Sequence, residues 1–282
     1  MPELPEVETM KLQLAKYLVG HTILDTKILD TRILSGDTKR LVGGKIIGTR
    51  RFGKVSVIDL SNGYSILTHV KLTGQYIYRG PNLKNPSKLS SKVIGGIPGP
   101  HTLVIFNLDR GGVLYYNDVR RFGWIRIEKT EDVEKEKFIV KLGPEPLKDL
   151  TLDLFNEILS KTSRPIKIVL MDQTKMGGVG NIYANDALWL AKINPRTPAK
   201  NLDQKSVSEL YEAILSVLKS GLKYGGASEL AFVTPDGTEG EYQKHTLTYG
   251  REGEPCERCH KSMINKFFLS GRGTYWCPVC QK

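Results

Sequence analysis

Apolar residues first recur at helical spacing. Val7, Met10, Leu14 and Leu18 fall on one face of a helix predicted over 5–19. Pro5 suits the first turn of that helix and Gly20 its stop. From residue 21 the pattern changes to short β-branched and aromatic runs separated by turn formers. These predict strands at 22–30, 45–51, 55–60, 64–69, 75–79, 102–108, 112–116 and 124–127. Asn62-Gly63 supplies a hairpin turn between two of them. Eight such runs predict a β-sandwich or barrel. Residues 80–100, rich in Pro, Gly, Ser and Lys, read as a mobile insertion within it.

Helical periodicity returns at 151–161, 166–175, 182–191 and 205–223. The charged stretch 128–137 and then Leu142-Gly143-Pro144-Glu145-Pro146 mark the boundary between the two patterns. The polar, Gly-rich segment 225–250 reads as a loop, and no internal repeat is present. The expected organisation is α+β and multidomain: a β-rich domain over 1–130, a linker over 131–146, a helical domain over 147–224, a loop over 225–250 and a terminal module over 251–282.

Composition narrows the class. With 282 residues, 40% hydrophobic and 25% charged, the chain suits a globular protein of two domains. No stretch approaches the roughly 18 apolar residues of a membrane helix. The N-terminus is acidic where a signal peptide would be basic, so an intracellular, cytoplasmic protein is expected. The net charge of +11 points to a polyanion, nucleic acid first and an anionic membrane second. Lysines and arginines are spread along the chain, which favours a folded basic face over a basic tail.

All four cysteines lie in the last 27 residues. Cys256-x2-Cys259 and Cys277-x2-Cys280 are separated by 17 residues, a spacing that suits one tetrahedral, structural Zn²⁺ better than two redox pairs. Phe267 and Phe268 between the pairs would pack a small hairpin, while Lys261, Lys266 and Arg272 could face phosphate. Such a module can bind protein or DNA; the chain's charge favours DNA.

The N-terminus offers a different chemistry. Pro2 is small enough for the initiator methionine to be removed, which would expose a secondary amine. An α-amino group titrates near about 8 against about 10.4 for lysine, and a helix N-terminus lowers that further. Attack by such an amine on a sugar C1′ yields an iminium, an electron sink, with Glu3 adjacent to move protons. Most prolines after methionine are nonetheless inert.

Four motifs change that weighting. Met1-Pro2-Glu3-Leu4-Pro5-Glu6-Val7-Glu8-Thr9, Asn117-Asp118-Val119-Arg120-Arg121-Phe122-Gly123, Met171-Asp172-Gln173 through Gly178-Val179-Gly180-Asn181-Ile182-Tyr183-Ala184, and the cysteine module occur in order over nearly the whole chain. Together they resemble the bacterial formamidopyrimidine-DNA glycosylases, which repair 8-oxoguanine. Leu4 and Val7 favour the purine-repair branch over the endonuclease VIII branch. The resemblance implies an N-terminal β-sandwich flanked by helices and a C-terminal helix–two-turn–helix domain with a four-cysteine zinc finger. It implies a monomer acting on double-stranded DNA that contains an oxidised base or an abasic site, through base excision followed by β,δ-elimination.

Residue by residue, the resemblance makes Pro2 the nucleophile and Glu3 its acid/base carboxylate. It assigns Lys54 to β-elimination and Arg272 to phosphate grip and δ-elimination. The plain alternatives are a surface lysine for Lys54 and a solvated hairpin tip for Arg272. A base inside a duplex must be everted and its space filled. Arg120 and Phe122 match two of the inserting residues, and Leu72 stands where the family usually has methionine. Val119 replaces a usual proline, and Phe122 could instead be core. Asn181 is expected to cap the helix after the Gly177–Gly180 turn, with Lys167 close by, in the DNA clamp. His69 and His101 match DNA neighbours or are buried histidines. Lys161 and Arg164 are candidates for a further basic contact. Residues 232–249 resemble the lesion-recognition loop, and 80–100 receives no role. Two rivals remain: removal of oxidised pyrimidines by the same chemistry, and a zinc-finger DNA-binding protein without catalysis. The second would lack Pro2, Glu3 or Lys54, and all three are present.

Overall fold

In the computed structural model, which describes residues 1–282, the first helix (α1, Leu4–Leu18) begins at a capping box. Glu3 is its N-cap: its side chain accepts the N–H of Glu6, while the Glu6 side chain accepts the N–H of Glu3. Pro5 lies in the first turn, as expected.

Nine strands follow: β1 (Ile23–Ile28), β2 (Leu34–Ser35), β3 (Ile46–Phe52), β4 (Val55–Leu60), β5 (Tyr64–His69), β6 (Gly74–Arg79), β7 (Thr102–Leu108), β8 (Val113–Asp118) and β9 (Trp124–Lys129). They form two sheets, in the orders β1-β7-β8-β6 and β2-β9-β5-β4-β3. The expected sandwich is therefore present. Its core combines Ile58, Leu60 and Ile66 of one sheet with Tyr76, Phe106 and Tyr116 of the other, and with Met10 and Leu14 of α1. β2 pairs with β9 over two residues only, too short to leave a pattern in the sequence. β4 is buried at every position because its outer face is also covered: Val55 and Val57 pack with Val133, Trp124 and Phe138.

A short helix, α2 (Lys137–Val140), ends this part of the chain. The helical part contains α3 (Leu152–Ser160), α4 (Ile166–Met171), α5 (Asn181–Leu190) and α6 (Gln204–Lys223), followed by a hairpin of β10 (Asn265–Leu269) and β11 (Arg272–Trp276). α4 stops at Met171 rather than at 175. The side chain of Asp172 accepts the N–H of Thr174 at 3.1 Å and its hydroxyl at 2.8 Å, and this local turn competes with further helix. α6 buries Val207, Leu210, Ile214, Val217 and Leu218 along one stripe. No helix is long and apolar enough to cross a membrane.

The chain divides into two units, Met1–Val140 with Leu222–Gln243, and Lys141–Gly221 with Lys244–Lys282. Much of the stretch read as a connecting loop, 225–250, thus belongs to the first unit. Its backbone is satisfied there: Glu241 donates to Tyr224 and Tyr242 donates to Gly226. Tyr242 itself is buried.

Candidate functional site

Pro2 and Glu3 are buried. Glu6 explains how a chain terminus is held in place. One of its oxygens accepts the N–H of Glu3 at 2.6 Å and the other the N–H of Ala227 at 2.7 Å. Chain ends without such ties are usually disordered.

Glu8, two residues further along α1, accepts from Lys11 and from Arg51, each at 2.7 Å. Burial works against its charge, but these hydrogen bonds prevail and hold its carboxyl below the ordinary range. Arg51 also donates to the carbonyl of Gly53 at 2.8 Å. This shapes the β3–β4 turn that carries Lys54. Lys54 is only 5% exposed, so the surface-lysine reading of this residue does not hold.

His69, at the end of β5, lies within electrostatic reach of Lys54 and Lys71. Burial, and then the positive charge of Lys71 and Lys54, pull its titration down to about 3. The imidazole is therefore neutral at ordinary pH, and its Nδ1 accepts the N–H of Lys71 at 3.0 Å.

The two loops carrying the inserting candidates meet at Asp118. Asp118 Oδ1 accepts the hydroxyl of Thr73, the neighbour of Leu72, and the N–H of Arg120 at 3.2 Å. Its Oδ2 accepts the N–H of Gly123 at 2.8 Å. Thr73 Oγ1 also accepts the N–H of Arg120, at 3.0 Å. A side chain at Gly123 would collide with the hydroxyl of Tyr116. Between these fixed points Arg121 adopts a φ of 55°. Arg120 lies over the ring of Phe122 at 4.7 Å. Phe122 is 53% exposed, which removes the reading of it as core. His101 adjoins the bracket through its carbonyl, which accepts the N–H of Asp118 at 2.9 Å.

In the second unit the structure corrects two expectations. Lys167 was expected to be near DNA, yet it is fully buried. Its ammonium donates to the carbonyl of Gly273 and to Thr274 Oγ1, both at 2.8 Å, so it holds the hairpin rather than a phosphate. Asn181 does not cap α5: Gly180 occupies the N-cap, and Asn181 Nδ2 donates to the same Gly273 carbonyl at 3.1 Å. A buried ammonium and a half-buried amide thus fix the strand that begins with Arg272. Arg272 is exposed beyond a turn in which Ser270 and Gly271 have φ of 48° and 73°. Lys161 and Arg164 join no such cluster. Lys161 pairs with Glu157, and Arg164 with Asp172 at 2.7 Å.

The turn before α5 is organised by Gln173. It donates to the carbonyls of Met171 at 3.0 Å and Val179 at 2.8 Å and accepts the N–H of Gly178 at 3.0 Å. Sequence reasoning quoted Asp118, Gln173 and Glu6 within motifs but gave them no role. For Asp118 and Gln173 the available signal was an acidic or amide residue placed two to five positions before a glycine or arginine, and for Glu6 its place three residues after Glu3 at a helix start.

The four cysteine sulfurs lie within 4.8 Å of one another. Cys256 and Cys280 are 3.8 Å apart and Cys259 and Cys277 3.7 Å, close to the ~3.8 Å edge of a tetrahedron with Zn–S of about 2.3 Å. No pair is disulfide-bonded. The residues present therefore fit a structural zinc site.

Known proteins match this chain from end to end. Residues 1–125 match the family described as formamidopyrimidine-DNA glycosylase N-terminal domain, and residues 142–232 its H2TH domain. A formamidopyrimidine-DNA glycosylase of Pelotomaculum thermopropionicum is 37% identical over 288 residues, covering 100% of this chain and 99% of the relative. Among solved structures, the MutM (Fpg) protein from Thermus thermophilus matches with a TM-score of 0.86 and 34% identity, over 99% of this chain and 98% of that one. Fpg from Lactococcus lactis, solved with DNA containing an abasic site, has the same TM-score and identity over 99% of each chain. The same protein solved with DNA containing an oxidised pyrimidine matches at 0.86 and 34% over 100% of both chains.

Proposed function

This chain belongs to the formamidopyrimidine-DNA glycosylase family, and from that premise we propose that it is a bifunctional glycosylase and abasic-site lyase of base excision repair. It removes oxidised purines from double-stranded DNA in the cytoplasm and uses Pro2 as the nucleophile. The observation that carries this reading is the built N-terminus: Pro2 and its glutamate neighbour are buried, and Glu3 caps the helix that follows.

The reaction begins after removal of Met1, which frees the Pro2 nitrogen. That secondary amine forms a bond to C1′ as the bond from C1′ to the damaged base breaks, and the base leaves with a proton. Glu3 is adjacent to donate and accept protons as the sugar opens to an iminium. The iminium acidifies C2′. Loss of a C2′ proton expels the 3′ phosphate, a second elimination expels the 5′ phosphate, and water releases Pro2. Lys54 assists the first elimination, and Arg272 grips phosphate in the second. Arg120, Phe122 and Leu72 fill the space of the everted base; leucine is less adaptable there than methionine. His69 and His101 line the DNA-facing end of the sandwich, and Lys161 and Arg164 are peripheral phosphate contacts. Cys256, Cys259, Cys277 and Cys280 hold one structural zinc, whose closed coordination sphere leaves it without chemistry.

Borohydride trapping on a duplex containing 8-oxoguanine opposite cytosine tests this directly. Wild type is expected to form a covalent adduct and Pro2→Gly none. A variant that still traps would remove the nucleophile assignment, and a wild type that never traps would favour a binding protein. A second reading is removal of oxidised pyrimidines, prompted by the relative solved with such DNA. Relative excision from thymine-glycol and 8-oxoguanine duplexes separates the two.

A further inference from the structure

Residues 81–100 contain no helix or strand, yet 89–97 are tied to the loop 228–239 by hydrogen bonds and apolar contacts. Lys92 makes the central tie. Its ammonium donates to the carbonyl of Ser228 and to the carboxylate of Glu239, so one side chain spans both ends of that loop. Ser90 adds a second bond to Glu239 through its hydroxyl and a third to the carbonyl of Gly237 through its N–H, at 2.9 Å. The amide of Gln75 on β6 bridges the two segments, donating to the carbonyls of Lys92 at 2.9 Å and Ala231 at 2.6 Å.

Apolar contacts reinforce these bonds. Val93 and Val233 share a buried cluster with Ile77, flanked by Leu89 and Ile97. Gly237 has a φ of +89°, and a side chain there would strike Leu89. The loop backbone is pressed against the strap at a point that only glycine allows. What remains uncovered is its tip: Glu229 and Leu230 are exposed, and Leu230 is 63% accessible, while Ala231, Phe232 and Val233 are buried.

We propose that residues 89–97 act as a strap that sets the conformation of 228–239 before DNA arrives, and that Ser90 and Lys92 are positioning residues for recognition of the damaged base. The proposal rests on the glycosylase reading above and on the resemblance of 232–249 to the lesion-recognition loop. Base discrimination requires a reader held in one shape, because a floppy reader would lose affinity to ordering on every encounter. Cleavage of a site that has already lost its base makes no such demand. Loosening the strap should therefore penalise excision of a damaged base selectively.

The test uses the full-length, zinc-loaded protein carrying Ser90→Ala with Lys92→Met, and separately Val93→Ala. Two measurements are made on each. Amide hydrogen exchange across 229–239 in the free protein is expected to rise about tenfold, since charge-assisted bonds closing the loop are lost. The kcat/KM for excision of 8-oxoguanine is expected to fall about tenfold, while strand cleavage at a preformed abasic site in the same duplex changes less than about twofold. Lys92→Arg, which keeps the cation, should restore most of both readouts.

Unchanged exchange in the double variant would overturn the strap. Faster exchange with equal losses on both substrates would overturn the base-reading role. A wild type that excises no base would sink the glycosylase reading and the discrimination claim with it, and the exchange result would still decide whether the strap holds the loop.

Discussion

The two units anchor their candidate site residues with groups of opposite sign. In the first, buried carboxylates collect hydrogens: Glu6 takes the N–H groups of Glu3 and Ala227, and Asp118 those of Arg120 and Gly123 together with the Thr73 hydroxyl. In the second, side-chain donors converge on one acceptor, with the buried Lys167 and the half-buried Asn181 both pointing at the carbonyl of Gly273. The difference follows from what each backbone offers. The loop after β8 turns N–H groups, and the loop after β5 a hydroxyl, toward Asp118, whereas the β10–β11 hairpin turns a carbonyl inward. A buried polar group must find its complement, so the anchor takes the sign that the backbone leaves open. The number of partners differs as well. Asp118 alone satisfies three donors, whereas Gly273 has two donors for one carbonyl.

The largest expected effect breaks the second unit outright. Removal of zinc by a chelator, or Cys277→Ser, should unfold the hairpin, since binding of a structural zinc is worth about 10–16 kcal/mol of folding free energy in small modules. Affinity for an abasic-site duplex is expected to fall by roughly two orders of magnitude, as Arg272 and its neighbours lose their geometry. Fluorescence anisotropy before and after chelation measures this. Unchanged affinity would mean that the hairpin takes no part in binding.

Asp118→Ala and Lys167→Met compare the two kinds of anchor directly. Asp118→Ala leaves the Gly123 N–H and the Thr73 hydroxyl without an acceptor, while Arg120 keeps Thr73 Oγ1, and should cost about 3 kcal/mol in urea unfolding. Lys167→Met should cost less, about 1–2 kcal/mol, because Asn181 still satisfies Gly273. A larger loss for Lys167→Met would reverse the argument and place more of the stability in the buried ammonium than in the carboxylate bracket.

The smallest effect concerns pH. His69 titrates at about 3 in the folded protein against about 6.5 unfolded, so below pH ~6.5 the unfolded chain binds a proton that the native state refuses. Its contribution to stability is complete above pH ~6.5 and is lost as pH falls toward 3. His69→Gln should therefore flatten the acid limb of a melting-temperature profile over that window while changing little at pH 8. Lys54→Met should raise the histidine's titration point, as seen by NMR, because a repelling charge is removed. An unchanged acid limb in His69→Gln would show that the imidazole takes up its proton without penalty.

Much of the architecture was legible locally. β4, β5 and β7 run over the residues that the pattern of apolar positions marked, and Pro5 in the first turn of α1 and the two CxxC pairs are short-range signals. β2 was not legible, because a two-residue pairing has no period. The segment 80–100 looked like a free insertion because its composition reports only the absence of helix and strand. The bonds that secure it run instead to residues more than a hundred positions away.

The sequence by itself determined where most strands and helices form, that the first helix has Pro5 in its first turn and that four cysteines gather in one module, because each depends on residues within a turn, a strand or a short hairpin of one another. Tertiary structure alone decided that Lys167 faces a carbonyl rather than solvent, that Asp118 joins two loops and that 89–97 grips 228–239. Apolar spacing along a chain records which face is buried. A buried polar group's distant partners are chosen by packing between segments far apart in the chain, and local spacing encodes only its near ones.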